Sequence, residues 1–467
     1  MRKRKGYPVY PLTKAQKFHT FYQDMCPKKE VLNIGTSLTI GTDLDWDVLK
    51  QSIYKAYERS ESMRLRFAKD KEGTWYQYVV DKEERDIEFV DFSDKTMEEA
   101  NEEMTKWTRV PFKRVDSPMN RVVMIRMPDG YNGVYLLIDH MTADAQGLSC
   151  FFKDVIELYC NAMYEGVPYP KEMASYLEQL QKDLAYEAGS KAQTRDREYF
   201  QNLIDSTPEP IYNGIRGPQK LEEERERSGN PNARAAVNVS DSVDSALDIF
   251  HLEEEPTARL MAFCEEHRVS LAVLLMMGLR TYFQKMNGND DVSINMAIAR
   301  RATVKEKKCG GTRIHSFPFR TIISEDKTFL EGIYEIRDLQ NEYFRHANYD
   351  PVEYFAYRGR KYPQKGGQTY EPMSLTYQPA NIQGKELTKI GDIKYKTHWY
   401  PNGATTQGMY LTVMHRPEDN GLDFNFEHQV KAVSREDLEY LYYYLCKIMF
   451  KGAENPNLPI GDIIKLI

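Results

Sequence analysis

The 467-residue sequence lacks the marks of several protein classes. Its six cysteines (Cys26, Cys150, Cys160, Cys264, Cys309, Cys446) are scattered, with no C-x-x-C pair. That spacing builds neither a zinc cage nor a disulfide framework, so no metal site is expected and a cytoplasmic location is. No run approaches the roughly 18 uninterrupted apolar residues of a membrane helix. The opening MRKRKGYP is basic, but no apolar core follows it, so it does not read as a signal peptide. Basic residues are not in excess: 63 Lys and Arg stand against 70 Asp and Glu, a net charge of −7. With no long basic stripe, a nucleic-acid partner is not expected. A G-x-S-x-G nucleophile elbow is missing too, which removes the most familiar serine-based route to acyl chemistry.

What is present is an ordinary globular composition, 41% hydrophobic and 28% charged, long enough for two or three domains. The 32 tyrosines suit packing around clefts and interfaces. The most informative stretch is VYLLIDHMTADAQG, Val134 to Gly147. Its apolar run predicts a buried strand that ends at Asp139 and His140, and a helical pattern, SCFFKDVIELYCNAMY, follows. Asp144 lies four residues after His140. A histidine at the end of a rigid strand, within reach of a loop, is well placed for a general base. The plainer alternative is a loop histidine beside a helix-capping aspartate.

Along the chain, strands are predicted at EVLNIGTSLTI, SMRLRF, TWYQYVV, IEFVDF and RVVMIRM, and helices at DLDWDVLKQSIYKAYERS and MEEANEEMTKWTRV. Thr13 is a candidate cap for the first helix. Residues 205–248 turn polar and Pro/Gly-punctuated, and the run LEEERERSGNPNAR reads as a solvated connection. A second block follows, with helices PTARLMAFCEEHR, SLAVLLMMGLRTYFQKM and SREDLEYLYYYLCKIMF and strands VSINMAIA, IHSFPFRTII, MSLTYQ, MYLTVMH and LDFNFEH. The expected organisation is an α/β N-terminal lobe, 1–175, and a C-terminal lobe, 176–467, with a cleft between them.

Several motifs, in order, resemble those of the condensation domains of nonribosomal peptide synthetases, a branch of the HxxxD acyltransferases. His140 and Asp144 fit the HHxxxDG core; Pro11, Leu12, Thr13, Ala15 and Gln16 fit a PLTxAQ opening. Arg59, Glu61, Met63, Arg64 and Phe67 resemble RHExLRTxF, and Pro118 to Arg121 resemble the segment before the core. Tyr199-Phe200 is similar to the family's YW, and Ala299-Arg300-Arg301 stand where it has Gly-Arg. Gly311, Ile314, Ser316, Pro318 and Arg320 fit GxFVNTxPLR with His315 for asparagine; Asp350 to Glu353 resemble DxPFE. Beside Ser60 for the histidine and Leu65 for the threonine of RHExLRTxF, two departures fall in the core motif: Asp139 replaces the first histidine of the pair, and Ala145 replaces the glycine after the aspartate.

The resemblance implies a freestanding condensation-type acyltransferase of chloramphenicol acetyltransferase-like fold: two mixed-sheet lobes forming a V-shaped pseudo-dimer around a tunnel. It implies transfer of an acyl or aminoacyl group from a phosphopantetheine thioester to an amine or hydroxyl, with His140 as base and no bound cofactor. The thioester would arrive on a carrier protein of another chain or on coenzyme A. The alternatives are an acyl-CoA-dependent O- or N-acyltransferase, or a degenerate member that docks carriers without turnover. The protein is expected to be a monomer, without membrane partners. Asp144 is expected to be structural, paired with Arg300 first or Arg301 second, with Asp139 and Gly147 supporting the site. Ala145 would crowd the approach of the thioester arm. His315 and Arg64 are possible tunnel-lining residues, each with a structural alternative. The remaining histidines, His19 among them, show no constellation and are expected at the surface or in the core.

Overall fold

The computed structural model describes residues 3–83, 85–379, 394–417 and 419–467. Two mixed sheets organise them. The first has five strands in the spatial order Tyr395–Tyr400, Asn33–Ile40, Asn132–Asp139, Asn120–Arg126 and Glu88–Asp91. Its middle strand, Asn132–Asp139, is buried at every position. That is why its sequence is a continuous apolar run and not an alternating one. Val134, Leu136 and Ile138 pack beneath the helices Trp46–Arg59 and Ala145–Met163, while Tyr135 and Leu137 face the helix Met97–Thr108.

The second sheet has six strands, in the order Ser245–Leu252, Leu422–Gln429, Met409–His415, Ser374–Gln378, Asp291–Ile298 and His315–Ile322. The pairs flanking Ser374–Gln378 are parallel and the others antiparallel. The largest core lies here, built on the almost wholly buried helix Leu271–Asn287, with Phe329–His346 and Arg435–Glu454 beside it. Ser270 caps the buried helix at its start, and Gly288, left-handed at φ 65°, ends it.

Thr13 caps the helix Lys14–Met25 through a reciprocal box with Gln16. The polar connection departs from the solvated expectation. Residues Gln219–Ser228 form a helix that buries Leu221 and Glu224 and ends at Gly229. Glutamate and arginine are good helix formers, and with only two buried positions the apolar signal is too thin to show. The strand Ser245–Leu252 begins inside the same polar span.

The two sheets are stitched by the chain itself. Strand Tyr395–Tyr400, from the second half, pairs antiparallel with Asn33–Ile40. Asn402 then donates to the carbonyls of Asn33 at 3.0 Å and Val31 at 3.3 Å. Sequence pattern does not reveal this strand, because none of Tyr395 to Trp399 is fully buried and the alternation is blurred.

Candidate active site

The Asn132–Asp139 strand delivers His140 to its end, where the His140 N–H donates to the Leu32 carbonyl at 2.8 Å. Four residues later Asp144 caps the helix Ala145–Met163, its Oδ1 accepting from the Gly147 N–H at 2.9 Å. So the capping role is real, but it is only part of what Asp144 does. The same Oδ1 accepts from Arg301 Nη2 at 2.8 Å, and Oδ2 accepts from the Arg313 N–H at 2.9 Å. Arg301 also donates to the carbonyls of Glu306, Cys309 and Gly311. Asp144 and Arg301 are almost fully enclosed, with side chains 1% and 3% exposed.

The cation is therefore Arg301, the second candidate, and not Arg300. Arg300 sits in a left-handed backbone conformation, φ 50°, which turns the chain at the end of its strand. Its guanidinium donates to the Arg313 carbonyl at 2.6 Å and to Asn348 at 3.3 Å. Gly147 lies where a Cβ would stand 3.2 Å from the Gly311 carbonyl, so the motif helix and the Gly310-Gly311 turn approach closely.

Asp139 is fully buried and turned from His140, as the alternation of a strand requires. Its carboxylate pairs with Arg114 and accepts from the Met141 N–H at 2.9 Å. His315 is not a lining residue: it is fully buried and its Nδ1 bonds the Ala347 carbonyl at 2.9 Å. Its neighbours Ile314 and Ser316 line the cavity, and one step along a strand reverses the face. Arg64 is also held elsewhere, donating to the carbonyls of Tyr57, Glu58, Val80 and Asp81. It ties the end of one helix to the segment that follows the strand Trp75–Val79.

His140 lines a cavity of about 280 Å³ whose walls come from both sheets. Ala145 is on that wall as well. Burial pushes the His140 imidazole below its ordinary value, against the opposing pull of the Asp144 and Asp139 carboxylates. Its Nδ1 is sealed from solvent and makes no hydrogen bond to another described residue.

One neighbour escapes the sequence reading. His19, on the helix Lys14–Met25, stacks against His140 with ring centroids 4.1 Å apart and planes at 30°. His19 Nε2 lies 3.2 Å from Thr312 Oγ1. Burial first, then the adjacent His140 and Arg114, drive its pKa well below the ordinary imidazole value. The signal was available: His19 is one helical turn past Gln16 of the opening motif, on the same inward face.

This constellation coincides with a family match. The condensation domain family model matches residues 8–466. The chain belongs to the condensation domain family.

A plipastatin synthase chain of Bacillus subtilis (strain 168) is 21% identical over 456 residues, covering 97% of this chain and 17% of that protein. Surfactin synthase subunit 1 of the same organism is 23% identical over 468 residues, covering 97% of this chain and 12% of that protein. The chain thus spans only a small part of these curated relatives. Among solved structures, the first condensation domain of the calcium-dependent antibiotic synthetase, in complex with a substrate analogue, aligns with TM-score 0.78 at 18% identity, covering 97% of this chain and 98% of that one. The starter condensation domain of rhizomide synthetase, in complex with C8-CoA and Leu-SNAC, aligns at 0.77 and 16%, covering 97% and 96%. The fold is accordingly the mixed α/β, chloramphenicol acetyltransferase-like one. Condensation domains are acyltransferases, so the family places the chain in that general class. No helix among the described residues is long and apolar enough to cross a membrane.

Proposed function

We propose that this condensation domain transfers an acyl or aminoacyl group from a phosphopantetheine thioester to an amine, or to a hydroxyl, with His140 as general base. The observation that carries the reading is a neutral-leaning imidazole at the wall of a cavity shared by both sheets. With Nδ1 sealed, Nε2 is the atom left to take the nucleophile's proton as nitrogen or oxygen attacks the thioester carbonyl. The carbonyl carbon gains the new bond, the carbon–sulfur bond breaks, and the thiolate leaves. Such proton transfer supplies roughly 10²–10⁴-fold, and orientation in the cavity adds to it. Asp144 and Arg301 act as positioning residues that fix the loop carrying His140 against the other sheet.

The division into lobes 1–175 and 176–467 is part of this proposal, as are the monomeric state and the cytoplasmic setting. All six cysteines are free, which favours a reducing compartment. The donor we favour is a carrier protein of another chain. Of the five cations after the Asp291–Ile298 strand, Arg300 and Arg301 turn inward; Lys305, Lys307 and Lys308 stay exposed beside exposed Val304. A basic turn with an apolar residue, in contact with the motif helix through Gln146 and the Lys307 carbonyl, suits an acidic carrier. Coenzyme A remains the second reading, because the structurally similar rhizomide domain is described with C8-CoA.

The test is thiol release from an acyl-carrier thioester and from the matching acyl-CoA, with amines and alcohols as acceptors. Turnover in the wild type and its loss in His140→Ala support the acyltransferase reading. Carrier binding without turnover would make the chain a docking member of the family. Equal or faster use of acyl-CoA would replace the carrier as donor.

A further inference from the structure

We propose that the cavity selects a substrate carrying a protonated amine, held against Glu427. This names a substrate class for the site described above and rests on the acyl-transfer reading only for the chemistry after binding. Glu427 lies on the Leu422–Gln429 strand, in register with Leu247 on one side and Tyr410 on the other. Alternation turns Phe424, Phe426 and His428 into the protein and Asn425 and Glu427 toward the cavity that His140 also lines.

Its surroundings set it apart. Asp139, Asp144, Asp154 and Glu371 are all buried carboxylates, and each meets an arginine: Arg114, Arg301, Arg59 and Arg358. Glu427 has no such partner among the described residues; among them its carboxylate accepts one hydrogen bond, from Ser245 Oγ to Oε1 at 3.3 Å. Among the described residues no lysine or arginine lines the cavity, and Glu427 is the only acidic residue that does. Half-buried in the cavity wall without a cation, the carboxyl keeps its desolvation cost, which pushes its pKa up to about 7. An ammonium arriving in the cavity would offset that cost. Tyr22, Trp399 and Tyr410 also line the cavity, and aromatic rings suit a cation better than an anion.

Hexylamine, 1-hexanol and hexanoate share one chain and differ in charge, so they can probe the site by ligand-observed NMR on the full chain. We expect hexylamine to bind at least about tenfold more tightly than hexanol, with hexanoate weakest. Glu427→Gln, which is near-isosteric and removes a half-buried charge with no cation beside it among the described residues, should fold normally and erase the preference. Hexylamine affinity should also rise about tenfold from pH 6 to pH 8, because a carboxyl with pKa near 7 is about nine-tenths protonated at the first and nine-tenths ionised at the second. The other titratable groups on this wall are His19, His140, Tyr22, Tyr400 and Tyr410, while the neighbouring Ser245–Leu252 strand presents Ser245 and Leu247. Any slope left in Glu427→Gln therefore belongs to the histidines, since the tyrosines are displaced upward. Equal binding of the three probes, or a preference that survives in Glu427→Gln, would overturn the proposal. Thiol release separates it from the activity: a chain that shows the preference without turnover keeps this inference and loses the acyltransferase. A chain that acylates amines without the preference does the reverse.

Discussion

The turn that carries His140 has a counterpart in the other sheet. Strand Asn132–Asp139, residues 140–144 and helix Ala145–Met163 match strand Leu422–Gln429, residues 430–434 and helix Arg435–Glu454. Several backbone hydrogen bonds recur. The N–H groups of His140 and Val430 donate to Leu32 and Asp244, each just before a neighbouring strand. Those of Thr142 and Ala432 donate to Asp139 and Gln429, the last residue of the strand in both cases. Asp144 and Ser434 cap their helices through the N–H three residues on. The side chains diverge where chemistry would occur. His140 faces the shared cavity, whereas Val430 is 49% exposed and lines no described cavity. Asp144 reaches across to Arg301, while Ser434 bonds only within its own cap. One scaffold is thus used twice, and only the first copy's turn carries a histidine to the cavity.

The sharpest way to break this contrast is through the caps. Asp144→Asn leaves Arg301 buried without its partner and should destabilise by about 3–5 kcal/mol. Ser434→Ala loses only a cap, about 1 kcal/mol. Asp144→Asn combined with Arg301→Met should cost less than the sum of the single changes, because no lone charge remains buried. Urea denaturation measures all four; equal costs at Asp144 and Ser434, or strict additivity, would mean the inter-sheet pair contributes nothing special.

Next in size is the proposed base, His140. His140→Ala should reduce acyl transfer at least about a hundredfold with little change in the unfolding midpoint. Val430→His, at the matching position, should add no activity. In the wild type the rate should rise with pH as His140 loses its proton, with the acid limb below the usual imidazole value of about 6.5, since burial disfavours the charged ring. An acid limb at or above that value would contradict the buried setting.

The comparison also shows what was legible in the sequence. The second turn is nearly invisible there: LDFNFEH and SREDLEYLYYYL signal a strand and a helix but no link to IDHMTAD. The first is conspicuous because a long apolar run, a histidine and a capping aspartate fall together. Most long elements followed from periodicity, since a buried strand or helix imposes its own pattern on many residues. What stayed hidden depends on long-range placement. The choice of Arg301 over Arg300 turns on one left-handed residue, and the Tyr395–Tyr400 strand crosses from one half to the other with little apolar signature. His19 and Glu427 lie 121 and 287 residues from His140 in sequence, so no local motif joins them to it.

His19 offers a smaller and more specific effect. No equivalent imidazole is stacked at Val430 among the described residues, so His19 belongs to what equips the first turn alone. Ring contacts of this kind are worth about 0.5–1.5 kcal/mol, which converts to roughly a two- to tenfold rate loss in His19→Leu. The loss should appear in kcat with KM nearly unmoved, because the ring orients His140 and does not itself hold substrate. A change confined to KM would show that His19, which lines the cavity, acts by contacting substrate instead.

The smallest effect is expected at Asp139, the position where the family motif has a histidine. Its carboxylate lies next to the base in sequence and pulls the His140 pKa upward through space. Geometry limits that pull: Asp139 points to the opposite face of the strand, where Arg114 neutralises it and the Met141 N–H holds it in place. Replacing it with asparagine removes a charge already compensated by Arg114, so the base should feel little. Folding should feel much more, because Arg114, with a side chain only 9% exposed, would lose its counter-ion. Asp139→Asn should therefore lower the unfolding midpoint while leaving the acid limb of the pH–rate profile almost where it was. A clear downward shift of that limb would show that Asp139 raises the basicity of His140 in the working enzyme, and would give this carboxylate part of the role that the motif's first histidine vacates.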